Sequence, residues 1–318
     1  MSVSRITYRH PREEDAPLIA EAINLSRREL EHERDVTLDE LKADILEDES
    51  YDPQGSWLAL DDESVAGFAW AIVDKHRVEL GMTHGHVSIE IVPEYRDPTT
   101  ENGLMARCLE YLRGRGMKVA QIRAPTEIGW TNDLVLGLGF HEVRRFFRMA
   151  YSRQSPPEAI ELAKDLQLIH VPFKTATDEQ ITEFNDLFNE SFVDHFDFAP
   201  MPETRLIRYR EAAKDVGIIA AVVKDGKVIG ASFNEEAGLY NEANGAKIGW
   251  IWVLGVAKDH RRQGLGTTLL KDGIRWLYSR GLDTALLYVD AENRHALGLY
   301  TSIGFEVVNE SVIYRLDL

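Results

Sequence analysis

The spacing of apolar positions changes character along the chain and marks out its elements. Alternating or continuous apolar runs predict strands near 4–9, 56–60, 65–73, 86–92, 118–124 and 141–151. Apolar residues at helical spacing predict helices near 12–30, 37–47, 101–115 and 129–137. From about residue 167 the same order returns. The long helix of this second half, 265–280, buries Leu270, Ile274 and Leu277 at i, i+4 and i+7, and Gly281 stops it. Thr284–Val289 then reads as a buried strand. In the short helix that follows, Ala296, Leu299 and Tyr300 share one face. Gly304 suits the left-handed position just past that helix.

The two halves form an internal repeat. Val256–Phe305 lies on Ile91–Phe140 at a constant offset, 256 − 91 = 165. Arg261 falls on Arg96, and Ile303-Gly-Phe305 on Leu138-Gly-Phe140. Each half runs from a first strand through helices to several strands, a long helix, a strand, a short helix and closing strands. The expected fold class is α+β: two tandem domains, each with a mixed, mostly antiparallel central sheet flanked by helices. The expected domains are 1–151 and 167–318, joined by a linker, 152–166, that opens with the polar, proline-bearing Ser152–Pro157.

Composition narrows the function. The chain has 318 residues, 44% apolar and 28% charged, enough for two cores. Its single cysteine, Cys108, rules out an intrachain disulfide and reads as a core residue. The formal net charge of −17 disfavours general nucleic-acid binding. No apolar run approaches transmembrane length, and the first ten residues lack a signal-peptide apolar region. A cytoplasmic protein with no membrane partner is expected. His84 and His86 are too sparse for a metal site, so no metal is expected.

The strand 249–256 runs into Arg261-Arg-Gln-Gly264-Leu-Gly266-Thr267, where an amphipathic helix begins. Glycines there let a ligand approach the backbone, and the helix N-terminus offers N–H donors and a positive dipole end. Such a turn binds phosphate or pyrophosphate. Leu269 excludes the dinucleotide fingerprint, and no P-loop motif exists. Gly255 suggests a bulge or a close backbone approach within the strand. Trp250 and Trp252 share a strand face by period two and are candidates to line a pocket.

Together the turn, Asn293, Tyr300 and Ile303-Gly-Phe305 resemble the GCN5-related N-acetyltransferase family. The resemblance implies acetyl-coenzyme A as co-substrate, its pyrophosphate on Arg261, Arg262, Gln263, Gly264, Leu265, Gly266 and Thr267. It implies that the strand holding Leu254 and Val256 hydrogen-bonds the pantetheine arm, that Asn293 contacts that arm, and that Tyr300 protonates the departing thiolate. The two-domain plan, with "VLGVAKDHRRQGLG" at 253–266 and "LLYVDAEN" at 286–293, is similar to the mycothiol synthase type. That type carries a glutamate, used as base, where this chain has Trp250. The candidate bases here are Asp290, Glu235 and Glu236, or a water chain. His195 is a candidate substrate contact.

The first copy has lost these residues. Thr99, Glu101, Ile128 and Val135 stand where the second copy has Gly264, Gly266, Asn293 and Tyr300. The expectation is a degenerate first domain and a second domain that transfers an acetyl group to a primary amine of a small molecule. Acetylation of a protein, or a non-catalytic acyl-coenzyme A sensor, are the alternatives. The sequence also leaves a homodimer open.

Overall fold

The computed structural model describes residues 6–30, 35–212 and 216–318. In chain order the elements begin β1 (Ile6–Arg9), α1 (Ala16–Arg27), α2 (Leu38–Leu41), β2 (Ser56–Asp61), β3 (Ser64–Ile72) and α3 (Lys75–Glu79). Next come β4 (His84–Ile91), α4 (Pro98–Gly114), β5 (Val119–Pro125), α5 (Gly129–Gly137) and β6 (His141–Tyr151). The second series holds β7 (Leu166–Pro172), α6 (Asp178–Phe192), α7 (Glu203–Ala212), β8 (Gly217–Lys224), β9 (Lys227–Glu236) and α8 (Gly238–Asn244). It closes with β10 (Ile248–Val256), α9 (Leu265–Ser279), β11 (Thr284–Asp290), α10 (Arg294–Ile303) and β12 (Glu306–Asp317). The strand expected near 4–9 appears as β1, its first two positions lying outside the described residues. The helix expected over 37–47 is the short α2, which widens into a looser turn over Lys42–Leu46.

The chain divides into two compact units, Met1–Phe146 with Asn309–Leu318, and Phe147–Val308. It passes from one to the other within β6 and again within β12. In the first unit the strand order is β1-β2-β3-β4-β5-β12. Only β4 and β5 run parallel, and β12 pairs antiparallel with β5 over Ser311–Asp317. In the second unit the order is β6-β11-β10-β9-β8-β7, with β10 and β11 parallel. Each unit is thus a mixed, mostly antiparallel sheet flanked by helices.

Helices cover both faces of each sheet because each helix carries one apolar stripe. In the second unit α9 lays Leu269, Leu270, Ile274 and Leu277 on one face, and α6 lays Ile181, Phe184 and Leu187 on the other. Each such burial is worth roughly 1.5–3 kcal/mol. In the first unit α4 and α1 play these parts. Cys108 lies inside the α4 core, its thiol pushed up to about 12 by burial, so it is unreactive. Among the described residues, no helix is long and apolar enough to cross a membrane.

The last strand of the chain belongs to the first unit's core. Tyr314 is buried there, and its hydroxyl donates to Asn132 Oδ1 at 2.9 Å. Tyr314→Ala is expected to cost about 3–5 kcal/mol, as large aromatic truncations do. Amide exchange should accelerate first in β5, while α9 keeps its protection. Loss of protection in α9 first would contradict this assignment of β12.

Candidate functional site

β10 and β11 pair only where they start: Ile248–Trp250 lie opposite Thr284–Leu286. Along its other edge β10 pairs with β9 as far as Val256, with one irregularity. Ile251 and Val253 oppose consecutive residues, Asn234 and Phe233, so Trp252 is an extra, bulged residue. A bulge bends and over-twists its strand, and beyond this one β10 and β11 part. Of the two expectations for Gly255, a bulge or a close backbone approach, the bulge falls at Trp252. Gly255 stays in register with Ala231, and its lack of a side chain serves a close approach instead. A Cβ there would lie 2.9 Å from Ser191 Oγ and 3.6 Å from Phe192 Cε2, both on the α6 face.

The parting exposes backbone. Ala257 N donates to Ile229 O, which makes Val256–Gly230 a pair without mutual hydrogen bonds. By the alternation of the ladder, Leu254 and Val256 then turn their N–H and C=O groups toward the side that β11 has left. Val256 O accepts from Arg261 Nε at 3.0 Å. Arg261 Nη2 also donates to Ser191 O at 3.1 Å. Arg261 is thus a brace that ties the turn to β10 and α6.

Two residues of the turn have left-handed backbone, Arg262 at φ 61° and Gly264 at φ 83°. Gly264 is the N-cap of α9, with no side chain to cap it. The N–H groups of Leu265, Gly266 and Thr267 have no acceptor within the helix; Thr268 N is the first to bond back, to Gly264 O at 3.0 Å. A Cβ on Gly264 would meet nothing within 4 Å, so this glycine answers to its φ and faces open space. Leu265 brings only its N–H, since its side chain is in the core. Gly266 sits between Leu299 and Leu254 with ordinary clearance. Arg262 and Gln263 are exposed.

Asn293 caps α10, its Oδ1 accepting from Ala296 N at 3.0 Å. Tyr300 lies on the α10 face with Ala296 and Leu299, its ring 6.0 Å from that of Phe305. Its hydroxyl has no hydrogen-bond partner among the described residues, and burial pushes its pKa up to about 12. Gly304, at φ 112°, ends the helix as expected.

The face of β9 and β10 that looks toward α6 carries the remaining candidates. Trp250 and Trp252 stack with ring centroids 4.5 Å apart, and Trp252 Nε1 donates to Glu235 Oε2 at 2.9 Å. Burial raises the Glu235 pKa, the indole bond opposing it. Glu236, one residue on, points the other way and pairs with Arg280 at 2.7 Å. Asp290 Oδ1 accepts from Glu292 N and closes the turn after β11. Of the three carboxylates considered, Glu235 has neither a cation nor a turn to hold among the described residues. The loop after α6 is pinned by Asn189, which both accepts from Met201 N and donates to Met201 O. His195, in that loop, packs on the Phe192 ring at 4.3 Å, and desolvation lowers its pKa.

The first unit closes every position that the second leaves open. Arg96 repeats the brace, to Ile91 O and Ser26 O, but its Nη1 is also paired with Glu29. Asp97 caps α4 by accepting from Thr99 N and Thr100 N, with Pro98 removing a third donor. Ser26 Oγ accepts from Ile91 N at 3.2 Å. Its counterpart, Ser191 Oγ, is buried with no partner among the described residues. Ile89, Ile91 and Val135 fill the first unit's core, where the second unit has half-buried Leu254, Val256 and Tyr300.

A profile of the acetyltransferase (GNAT) family matches residues 181–305. Mycothiol acetyltransferase of Thermobispora bispora is 30% identical over 216 residues, 67% of this chain and 71% of that one. The chain belongs to the GNAT acetyltransferase family. Its fold matches the GCN5-related N-acetyltransferase from Sphaerobacter thermophilus, with TM-score 0.73, 24% identity and coverage of 98% of this chain and 95% of that one. A tandem GNAT protein from the clavulanic acid biosynthesis pathway superposes with TM-score 0.74 at 13% identity, covering 98% of both chains. The protein is thus an N-acetyltransferase, and its family uses acetyl-coenzyme A.

Sequence reasoning did not find Ser191 or Tyr288. Ser191 was detectable, since it falls on Ser26 at the same offset of 165, 191 − 26 = 165. Tyr288 lies two residues before Asp290 on β11 and stacks on Trp250 at 5.2 Å.

The contrast between the units sets a stoichiometry. Calorimetry with acetyl-coenzyme A should give one tight site per acetyltransferase chain. Gly264→Glu should weaken it by several kcal/mol, through charge at the helix N-terminus and strain at φ 83°. Gly264→Asn, which tolerates that φ, should lose much less, and Thr99→Glu nothing. Two equal sites, or equal losses in the Gly264→Glu and Thr99→Glu variants, would refute the contrast.

Proposed function

We propose that the second unit transfers an acetyl group from acetyl-coenzyme A to a primary amine of a small molecule by direct attack. The observation that carries this reading is the parting of β10 from β11, with the uncapped N-terminus of α9 close in sequence at the end of β10. Backbone donors and acceptors facing a gap suit the amides of an extended pantetheine arm, which would replace the missing strand as a ladder partner. Three free N–H groups and the dipole of α9 suit the pyrophosphate. The N–H groups of Leu254 and Val256 are candidates to meet the thioester carbonyl oxygen as it gains charge. Ser191 Oγ, buried and unpartnered beside Gly255, supplies a further donor at that strand end.

Tyr300 is the proton donor in this reading. A phenol at about 12 facing a thiol near 8.5 leaves full transfer uphill by about 5 kcal/mol. The phenol therefore acts first as a hydrogen-bond donor to the sulfur as charge builds, and the proton follows as the C–S bond breaks. Asn293 Oδ1 is spent on capping α10, so its Nδ2 is the group free to meet the cofactor arm. The relative named mycothiol acetyltransferase supports a small-molecule acceptor. The reading keeps Tyr300 and Asn293 in working roles, which a non-catalytic sensor would not need.

A panel of primary amines with acetyl-coenzyme A, followed by free thiol release, tests the reaction. Release with at least one amine, abolished in Gly264→Glu, is expected. Tyr300→Phe should keep cofactor affinity and lower the turnover number about 10²–10⁴-fold. It should also leave thermal stability nearly unchanged, since the hydroxyl it removes has no partner among the described residues. Wild-type turnover by the Phe variant, on an acceptor whose chemical step limits the rate, would remove Tyr300 from the mechanism.

A further inference from the structure

The α6-side face of β9 and β10 continues into a row of rings that the thioester chemistry does not use. Trp252 stacks on Trp250 with 13° between the planes, and Trp250 stacks on Tyr288 at 5.2 Å and 18°. The two outer rings are exposed, Trp252 by 46% and Tyr288 by 40%. The row exists because the bulge leaves Trp252 without a partner on β9, free to lie over Trp250. The bond from Trp252 Nε1 to Glu235 then fixes the indole. Stacked rings left open at a surface offer an apolar ligand a face to stack on.

A carboxylate, Glu235, stands beside the row and accepts a hydrogen bond from its outer indole. Glu235 lies directly across from Trp250 on β10 and from Gly217 on β8. Among the described residues, the Trp252 indole is the one polar group shown bound to its carboxylate, and no charged side chain acts on it. A half-buried carboxylate without a cation is an incomplete ion pair. An ammonium group completes it and at the same time sits well against the faces of tryptophan rings.

We propose that this row and Glu235 form the acceptor subsite, and that it takes a primary amine borne on a flat aromatic body with no anionic group. This rests on the transfer reading given above and names its substrate class. The ring of the acceptor extends the stack on Trp252, and its ammonium faces Glu235. The ammonium gives one proton to Glu235, directly or through a water, and the neutral nitrogen attacks the thioester carbon. The C–N bond forms, the C–S bond breaks, and its electron pair leaves with sulfur. Sulfur takes the Tyr300 proton, the nitrogen's second proton returns to the phenol through solvent, and Glu235 releases its proton to water. An anionic acceptor would bring like charge against Glu235, whose carboxylate has no cation acting on it among the described residues. A polyhydroxylated amine finds few converging polar groups there.

Three probes separate the classes: 2-phenylethylamine, phenylalanine, which adds only a carboxylate, and glucosamine. The kcat/KM for 2-phenylethylamine should exceed both others by at least about tenfold, the size of one good ring or charge contact. Trp252→Ala should erase that preference while leaving acetyl-coenzyme A affinity unchanged by calorimetry. Glu235→Gln keeps an acceptor for the indole and removes the charge. It should lower kcat about 10²–10⁴-fold. The variant should also lose the acid limb of the pH profile, which in the wild type lies above the ordinary carboxylate range because burial raises the Glu235 pKa. A raised carboxylate disfavours folding once ionised, so Glu235→Gln should unfold no earlier than wild type at pH 7. Preference for glucosamine or phenylalanine, or wild-type rates in both variants, overturns the acceptor class alone. Turnover of no amine overturns the transfer reading and this one with it.

Discussion

The site depends on one constraint: β10 cannot stay paired with β11 past Trp250. The bulge at Trp252 sits two residues beyond the last shared pair and turns the strand away. An edge opened inside a sheet leaves backbone groups that must find partners or pay desolvation. The protein satisfies one of them itself, Val256 O through Arg261, and leaves Leu254 and Val256 N–H facing the gap. The same arginine holds the last turn of α6 through Ser191 O, so the turn, the strand end and the helix end move as one piece. A ligand bound there meets fixed donors, which is what makes such donors effective on developing charge.

The first unit shows what the same frame becomes when those groups are closed. It keeps the brace, with Arg96 on Ile91 O and Ser26 O, so the brace is a property of the fold and not of the chemistry. What differs is who satisfies the open donors. Asp97 occupies the α4 N-terminus, where an anionic ligand would otherwise sit, and places a full charge against the dipole. Ser26 Oγ takes the strand N–H that has no counterpart bond at Val256. Apolar Val135 and Ile128 replace a tyrosine and a capping asparagine, and both are buried. A few residue differences separate an open strand edge from a closed, buried one.

Much of this was legible because it rests on local rules. A glycine at the N-cap of a helix after a strand signals a backbone conformation, and Gly264 has it. The stripe Ala296, Leu299 and Tyr300 follows from helical period, and it packs as one face. The parts that were not legible depend on pairing at a distance. Whether Trp252 or Gly255 bulges is decided by the register with β9, where a shift of one residue changes nothing in composition. The pairing of β12 with β5 joins residues nearly two hundred positions apart, and no local pattern announces it. The brace made by Arg261 was not legible either, because its charge is visible in sequence and its two carbonyl acceptors are not.

The two adjacent carboxylates at the end of β9 show how the fold sorts like residues into different chemistry. Glu235 and Glu236 are neighbours in sequence, so strand alternation sends them to opposite faces. Arg280, the C-cap residue of α9, neutralises Glu236 and leaves that face structural. Glu235 meets indoles instead, and burial without a cation holds its pKa up. The resemblance to mycothiol synthases implies a glutamate base where Trp250 stands, and Glu235 is the residue directly across from Trp250 in the ladder. Cross-strand neighbours on one face lie about 5 Å apart. A carboxylate can therefore leave β10 and return from β9 on the same face, while the position it vacated is free to hold a ring. In the proposed reaction that exchange couples the location of the base to the nature of the acceptor: a tryptophan in place of a carboxylate also removes a polar contact that a hydroxylated substrate would use.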